Sequence, residues 1–234
     1  VLEATADLEQ NIEGVHYDSR KVTEGSLFVA ITGFATDGNR YIPMAMEKGA
    51  AAVITAKKPE IDVPYVLVDS DRHALALLGV NFFGCPAEKM TMIGITGTNG
   101  KTSSTLLLKH VLEVTRNAKV GLIGTMENMI GDVRIPAERT TPESLDLQAL
   151  FAKMRDAGCQ YVVMEVSSHA LEQCRVYNID FDEVFKTAEK KITNNVYYGF
   201  RPKSRNHFGL YSCNCQSNWR LRIRMVSWIG QCYY

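Results

Sequence analysis

Between residues 94 and 102 the chain reads Gly-Ile-Thr-Gly-Thr-Asn-Gly-Lys-Thr. A glycine-rich run that closes on Lys-Thr suits phosphate, because glycines let successive backbone N–H groups turn toward phosphate oxygens. Lys101 then neutralises charge on the β- and γ-phosphates, and the Thr102 hydroxyl is a candidate magnesium ligand. The strict G-x4-G-K-[ST] spacing is not met: Ile95 stands where the first glycine belongs, and Gly94 comes one residue early. An ordinary glycine-rich turn with Lys101 solvated is the competing reading. A lysine in a first helical turn opposes the helix dipole, which favours an anion nearby and so the phosphate loop.

Two further polar runs carry candidate chemistry. Glu165-Val-Ser-Ser-His169 offers a carboxylate for magnesium, with Ser167, Ser168 and His169 for a polar ligand. Simple capping of the next helix by Ser167 or Ser168 explains the run as well. Arg139-Thr-Thr-Pro142 precedes an apolar-periodic segment, with Thr141 placed as N-cap and Pro142 in the first helical position. Capping is sufficient there, and a ligand role for the two hydroxyls is compatible with it. Near the start, residues 17–21 and 33–38 read as turns flanking a strand, with Arg20 at the surface.

The elements that position these residues follow from periodicity. Residues 90–95 form a short apolar strand leading into the glycine-rich loop. Residues 102–115 form the next helix, with Leu107, Val111 and Val114 on one face. Residues 119–123 are a strand. Residues 144–157 are an amphipathic helix with Leu147, Leu150, Phe151 and Met154 at i, i+3, i+4 and i+7, closed by Gly158. Residues 161–166 are a buried strand ending in polar residues. Such alternation predicts an α/β fold with a mostly parallel sheet and ligands at the carboxyl ends of its strands.

A smaller α/β unit precedes it. Strands are expected at 26–31, 51–55 and 65–68, and helices at 41–48 and 72–83. The Gly84-Cys-Pro-Ala-Glu-Lys89 run is a helix-stopping boundary, giving domains at 1–88 and 89–187. Beyond about Thr187 no period persists, so 188–234 is expected to be an atypical tail rather than a folded domain.

Composition supports that division. Of the chain's 26 Lys and Arg and 26 Asp and Glu, residues 1–191 hold 20 of the bases and every acid. Residues 192–234 hold six bases, both Trp, five of ten Tyr and three of six Cys. The zero net charge therefore joins two unlike parts. No apolar run approaches the roughly 20 residues that span a bilayer. The first residues are acidic and lack the basic and apolar regions of a signal peptide, and the missing initial Met reads as a truncated start. The cysteines show no C-x-x-C pair, so a reducing cytoplasm is expected, without a disulfide framework or zinc site.

Taken together, the chain resembles the Mur ligases of peptidoglycan synthesis over roughly residues 12–185. The resemblance rests on Asp18-Ser-Arg-Lys-Val-Thr-Glu-Gly-Ser-Leu-Phe-Val-Ala, on Gly94 to Thr102, on Thr140-Thr-Pro-Glu, and on Glu165-Val-Ser-Ser-His-Ala-Leu-Glu-Gln-Cys-Arg175. The last favours the member that adds the third-position amino acid, meso-diaminopimelate or Lys, to UDP-N-acetylmuramoyl-dipeptide.

The resemblance implies three domains: one for the UDP end of the substrate, a central ATPase domain, and a Rossmann-like domain for the amino acid. It implies ATP and Mg²⁺ as cofactors, an acyl-phosphate intermediate, and release of ADP and phosphate. It places ATP on Gly97, Thr98, Asn99, Gly100, Lys101, Thr102 and Ser103, and magnesium on Thr102 and Glu165. Lys101, Glu165 and His169 become the catalytic candidates. Ser19, Phe34, Ala35, Thr36 and Asp37 would take the uridine end. Thr140, Thr141, Ser167, Gln173 and Arg175 would take the muramoyl-peptide, Arg175 by pairing with anionic groups. A cytoplasmic monomer with small-molecule substrates and no membrane or nucleic-acid partner is implied.

The chain departs from the family in two places. Arg139 stands where relatives commonly have Asn. After Phe185-Lys-Thr187 the family's Asp-His-Leu-Asp stretch and magnesium-bridging lysine are missing, and no third domain follows. The central domain is therefore expected to be incomplete, the C-terminal Rossmann-like domain absent, and turnover poor. The alternatives are the sister ligase that adds the terminal dipeptide, a folate-polyglutamate relative, and a non-catalytic protein whose basic, aromatic tail binds nucleic acid.

Overall fold

The computed structural model describes residues 1–33 and 36–187, together with the backbone of 201–202. The expectations for 188–234 otherwise fall outside the described residues, as do Phe34 and Ala35. The chain divides into two compact units between Phe82 and Phe83.

The first unit is an α/β layer. β1 (Glu3–Ala4), β2 (Gly14–His16), β3 (Ser26–Ala30), β4 (Ala52–Thr55) and β5 (Tyr65–Leu67) form one sheet in the order β1-β5-β4-β3-β2. All pairs are parallel except β1 with β5. Every residue of β3 and of β4 is buried, as a parallel strand covered on both faces requires. The helices are α1 (Ile42–Glu47) and α2 (Asp71–Phe82). Phe28, Ala30, Ile42, Ala45, Val53 and Tyr65 make its core. The short β1 is tethered by Glu3, which accepts from the Tyr65 phenol and pairs with Lys58 at 3.0 Å.

In the second unit the strands are β6 (Thr91–Thr96), β7 (Val120–Ile123), β8 (Glu127–Ile130), β9 (Val133–Pro136) and β10 (Tyr161–Glu165). Two more follow, β11 (Asp180–Phe181) and β12 (Glu183–Lys186). The main sheet runs β12-β6-β10-β7-β8-β9. The first four are mutually parallel, so their carboxyl ends share one edge. β8 and β9 add an antiparallel hairpin that periodicity had not indicated, turned at Gly131 with φ +58°. The backbone at Arg201–Pro202 pairs with β11 as a two-residue β13.

Helix α4 (Ser144–Asp156) and α5 (Ser168–Glu172) lie C-terminal to β9 and β10. Leu147, Leu150, Phe151 and Met154 enter the core with Met92, Ile123, Val162 and Met164, as their spacing predicts. Gly158 follows α4 at φ +79°.

Helix α3 (Lys101–Arg116) corrects the sequence reading. Leu107 and Val114 are 65% and 67% exposed, and Val111 is also exposed. The sheet instead receives Thr105, Leu108, Lys109 and Leu112, against Ile93, Ile95, Val120 and Val163. Both sets have helical spacing, so period alone does not choose between them. Thr105 is tolerated inside because its hydroxyl donates to the Thr102 carbonyl at 2.9 Å, and Lys109 because its ammonium reaches Glu113. Among the described residues no helix is long and apolar enough to cross a membrane.

Candidate active site

The glycine-rich loop spans the gap between β6 and α3 on the shared carboxyl edge. Gly97 has φ +137° and Gly100 φ +80°, conformations that side chains with a Cβ rarely adopt. Gly100 stands as N-cap, so α3 opens with no side-chain cap at the loop. Such an end leaves backbone N–H groups and a positive dipole for an anion. The Lys101 ammonium folds back onto the Gly97 carbonyl at 2.7 Å, placing the charge within the loop.

Thr187, just past β12, closes over the loop. Its N–H donates to the Thr96 carbonyl at 2.8 Å, and its hydroxyl to the Asn99 carbonyl at 2.6 Å. Sequence reading did not single it out. The parallel register Lys186 to Thr96 is what delivers it there.

Glu165 ends β10, in register with Ile95 on β6. It is only 1% exposed, and none of the ion pairs among the described residues involves it. Its carboxylate accepts from the Thr125 N–H at 3.0 Å and the Thr125 hydroxyl at 3.1 Å. Thr125 was also missed, although its place two residues past β7 on the same edge was an available signal.

Thr141 is not the N-cap of α4. The helix begins at Ser144, and the Glu143 carboxylate caps it by accepting from the Ser144 N–H at 3.2 Å. Thr141 is buried and instead ties the segment before α4 to the end of β10. Its hydroxyl donates to the Glu165 carbonyl at 2.9 Å and accepts from the Ser167 N–H at 3.2 Å. The Thr140 hydroxyl sits 3.1 Å from that of Thr125. Ser167 does cap α5, accepting from the Ala170 N–H at 3.2 Å, and His169 is exposed in that helix's first turn.

Arg175 gathers this wall. Its guanidinium donates to the Thr141 carbonyl at 2.8 Å and to Gln173 Oε1 at 2.6 Å, and it lies 3.5 Å from Glu143 Oε2. Arg139 approaches the same carboxylate at 3.9 Å. Glu143 thus links both arginines to the start of α4.

In the first unit, Ser19 is buried and its hydroxyl contacts the Met44 sulfur at 3.4 Å. The segment around Thr36 and Asp37 is held closed by the Gly33 N–H on the Thr36 carbonyl, 3.0 Å, and by the Gly38 N–H on the Ile31 carbonyl, 2.9 Å. Hydrogen bonds from Asn39, then Lys57, hold the Asp37 carboxyl down to about 2. Asp18 is likewise held to about 2 by the Arg20 guanidinium.

The second unit's residues fit a nucleotide-borne magnesium ion. Among the described residues no cluster of three His, Cys, Asp or Glu could cage a metal. Magnesium needs no such cage, since one or two protein oxygens plus phosphates and water complete its shell. A buried carboxylate without a cation, beside a loop ending in Lys101-Thr102, supplies that oxygen chemistry.

Two family profiles match the chain in order: Mur ligase family, catalytic domain, over residues 11–83, and Mur ligase middle domain, over residues 95–188. The UDP-N-acetylmuramoyl-L-alanyl-D-glutamate–2,6-diaminopimelate ligase of Caldanaerobacter subterraneus subsp. tengcongensis is 54% identical over 176 residues, 74% of this chain and 36% of that protein. The ligase of the same name from Geobacillus thermodenitrificans is 44% identical over 204 residues, 86% of this chain and 40% of that protein. The chain therefore spans well under half the length of these curated relatives. A solved structure bearing the same ligase name aligns with a TM-score of 0.67 at 22% identity, over 80% of this chain and 39% of that one. The UDP-N-acetylmuramoylalanyl-D-glutamyl-2,6-diaminopimelate–D-alanyl-D-alanyl ligase of Acinetobacter baumannii aligns at 0.51 and 19%, over 75% and 36%. Both likenesses speak to the fold. With two consecutive profiles spanning both units and relatives near half identity, the chain belongs to the Mur ligase family.

Proposed function

We propose that this chain carries the nucleotide-binding and UDP-substrate-binding portions of an ATP-dependent amide-bond ligase of peptidoglycan precursor synthesis. The reaction adds diaminopimelate, or Lys in its place, to the dipeptide carboxylate of UDP-N-acetylmuramoyl-dipeptide and releases ADP and phosphate. The observation that carries this reading is the convergence of the 97–103 loop, Glu165, Thr140, Thr141 and Ser167 on one carboxyl edge of a parallel sheet. The identity to relatives named as diaminopimelate ligases favours that amino acid.

The chemistry explains the residue types. A carboxylate is a poor electrophile until phosphorylated to an acyl phosphate, which the amine then attacks. Phosphate and carboxylate repel, so positive charge must sit between them. In this reading the residues from Gly97 to Ser103 hold ATP, and Lys101 supplies that charge. Thr102 and Glu165 hold magnesium, which when bound neutralises phosphate oxygens. His169, exposed on the first turn of α5, serves the same edge as a polar contact. Thr140, Thr141, Ser167, Gln173 and Arg175 form the wall for the muramoyl-peptide. Residues 1–88, through Ser19 and the Phe34–Asp37 loop, take the uridine end, while 89–187 take ATP. The enzyme of this reading works as a cytoplasmic monomer away from membranes.

Calorimetric titration of the full chain with UDP-N-acetylmuramoyl-dipeptide tests this assignment. Saturable binding that is lost in Arg175→Ala and kept in Lys101→Ala is the expected result. Absence of binding overturns the substrate. Preference for the tripeptide-bearing nucleotide assigns the sister ligase that adds the terminal dipeptide.

A further inference from the structure

The Glu165 carboxylate is held from the end of the neighbouring strand rather than from its own. Thr125 gives one hydrogen bond to each carboxylate oxygen: the N–H to Oε1 at 3.0 Å and the hydroxyl to Oε2 at 3.1 Å. Gly124 makes this approach possible, since a Cβ there would lie 2.7 Å from Oε1. The Thr125 hydroxyl also lies 3.1 Å from the Thr140 hydroxyl. We propose that Thr125 is a positioning residue that aims Glu165 at the metal and sets the hydrogen-bonding polarity of Thr140. The inference rests on the reading of Glu165 as a magnesium ligand.

Proton bookkeeping fixes the directions. An ionised carboxylate only accepts, so the single Thr125 hydroxyl proton goes to Oε2. Within the hydroxyl pair Thr140 must then donate to Thr125 Oγ1. Its own lone pairs turn outward, and Thr140 meets a ligand as an acceptor. It therefore suits an amide N–H or a sugar hydroxyl rather than a carboxylate or phosphate. Each Glu165 oxygen accepts one bond from Thr125 and keeps a second lone-pair direction for a cation. Residues that orient a ligating carboxylate in this way typically change metal affinity about 10- to 100-fold when removed.

The probe is Mn²⁺, followed by electron paramagnetic resonance, titrated into the full chain with a non-hydrolysable β,γ-imido analogue of ATP. Thr125→Val should weaken Mn²⁺ binding about tenfold or more, and Thr125→Ser should restore it. The metal-free affinity for the analogue should match the parent chain in Thr125→Val, even though the melting midpoint falls because the buried Glu165 Oε2 loses a donor. Wild-type Mn²⁺ affinity in Thr125→Val, with binding lost in Glu165→Gln, overturns the inference and leaves the magnesium reading standing. Parallel losses of melting midpoint and metal-free affinity overturn it in favour of a purely structural Thr125. If Glu165→Gln binds Mn²⁺ no differently from the parent chain, the magnesium reading itself falls and this inference with it.

Discussion

Gly97 and Thr187 are in contact so close that no other residue fits at position 97. A Cβ built on Gly97 would lie 2.4 Å from both the carbonyl oxygen and the hydroxyl of Thr187. The end of edge strand β12 is thus the surface against which the glycine-rich loop is shaped. Gly97→Ala should abolish nucleotide binding and lower the melting temperature. Gly158→Ala meets nothing within 4 Å and should cost only about 1 kcal/mol, for its positive φ alone. Thr187→Val should weaken nucleotide binding and Thr187→Ser should keep it, as a fluorescent-nucleotide titration will register.

Thr141 makes a second prediction. Its buried hydroxyl satisfies the Glu165 carbonyl and the Ser167 N–H at once. Valine would leave both unpaired, at a cost of about 1–3 kcal/mol per buried group. Chemical denaturation should show a loss of that order for Thr141→Val and far less for Thr141→Ser. If Thr141 acted only as a helix cap, α4 alone would fray and the β10 end would be unaffected; amide exchange at Val166 and Ser167 distinguishes the two.

Helix α3 offers a test of which face is buried. Leu107→Lys should change stability by no more than about 0.5 kcal/mol, since the side chain is largely in water. Leu112→Ala, on the sheet-facing side, should cost about 2 kcal/mol. Urea melts of the two variants will order them.

Acid should act on the first unit through Asp18 and Asp37. Each has a folded value near 2 against an ordinary 3.8. A carboxyl lowered on folding stabilises the protein above its unfolded value and loses that contribution as pH falls toward the folded one. Stability should therefore decline between about pH 4 and 2. Asp37→Asn should flatten that decline while lowering stability at neutral pH, where its bonds to Asn39 and Lys57 are lost. Both pairs are partly exposed, so added salt should shrink the effect.

Much of the site could be read from local chemistry. The 97–103 loop announces itself because glycine, lysine and threonine sit in consecutive positions between a strand and a helix. Glu165 and Ser167 follow an apolar strand just as directly. Thr187 could not be found this way, and Thr125 only from its place two residues past β7 on the shared edge. Each is an ordinary residue whose role arises only when parallel register brings it beside another strand's end. Thr141 was visible but given the wrong duty, since Thr-Pro before an apolar helix resembles a cap whether or not the hydroxyl is used for one. On α3, two stripes shared helical spacing, and buried Lys109 and Thr105 were acceptable only because Glu113 and the Thr102 carbonyl satisfy them. The β8–β9 hairpin escaped notice because its strands are four residues each and only partly apolar.

Binding of Mg–ATP to the full chain and to its Lys101→Ala variant, measured side by side by isothermal titration calorimetry, tests the central claim most directly. Saturable, magnesium-dependent binding by the parent chain that disappears in Lys101→Ala, with the melting temperature of the variant unchanged, is the predicted result. Equal heats from the two proteins, or none from the parent chain, would contradict a phosphate loop at residues 97–103.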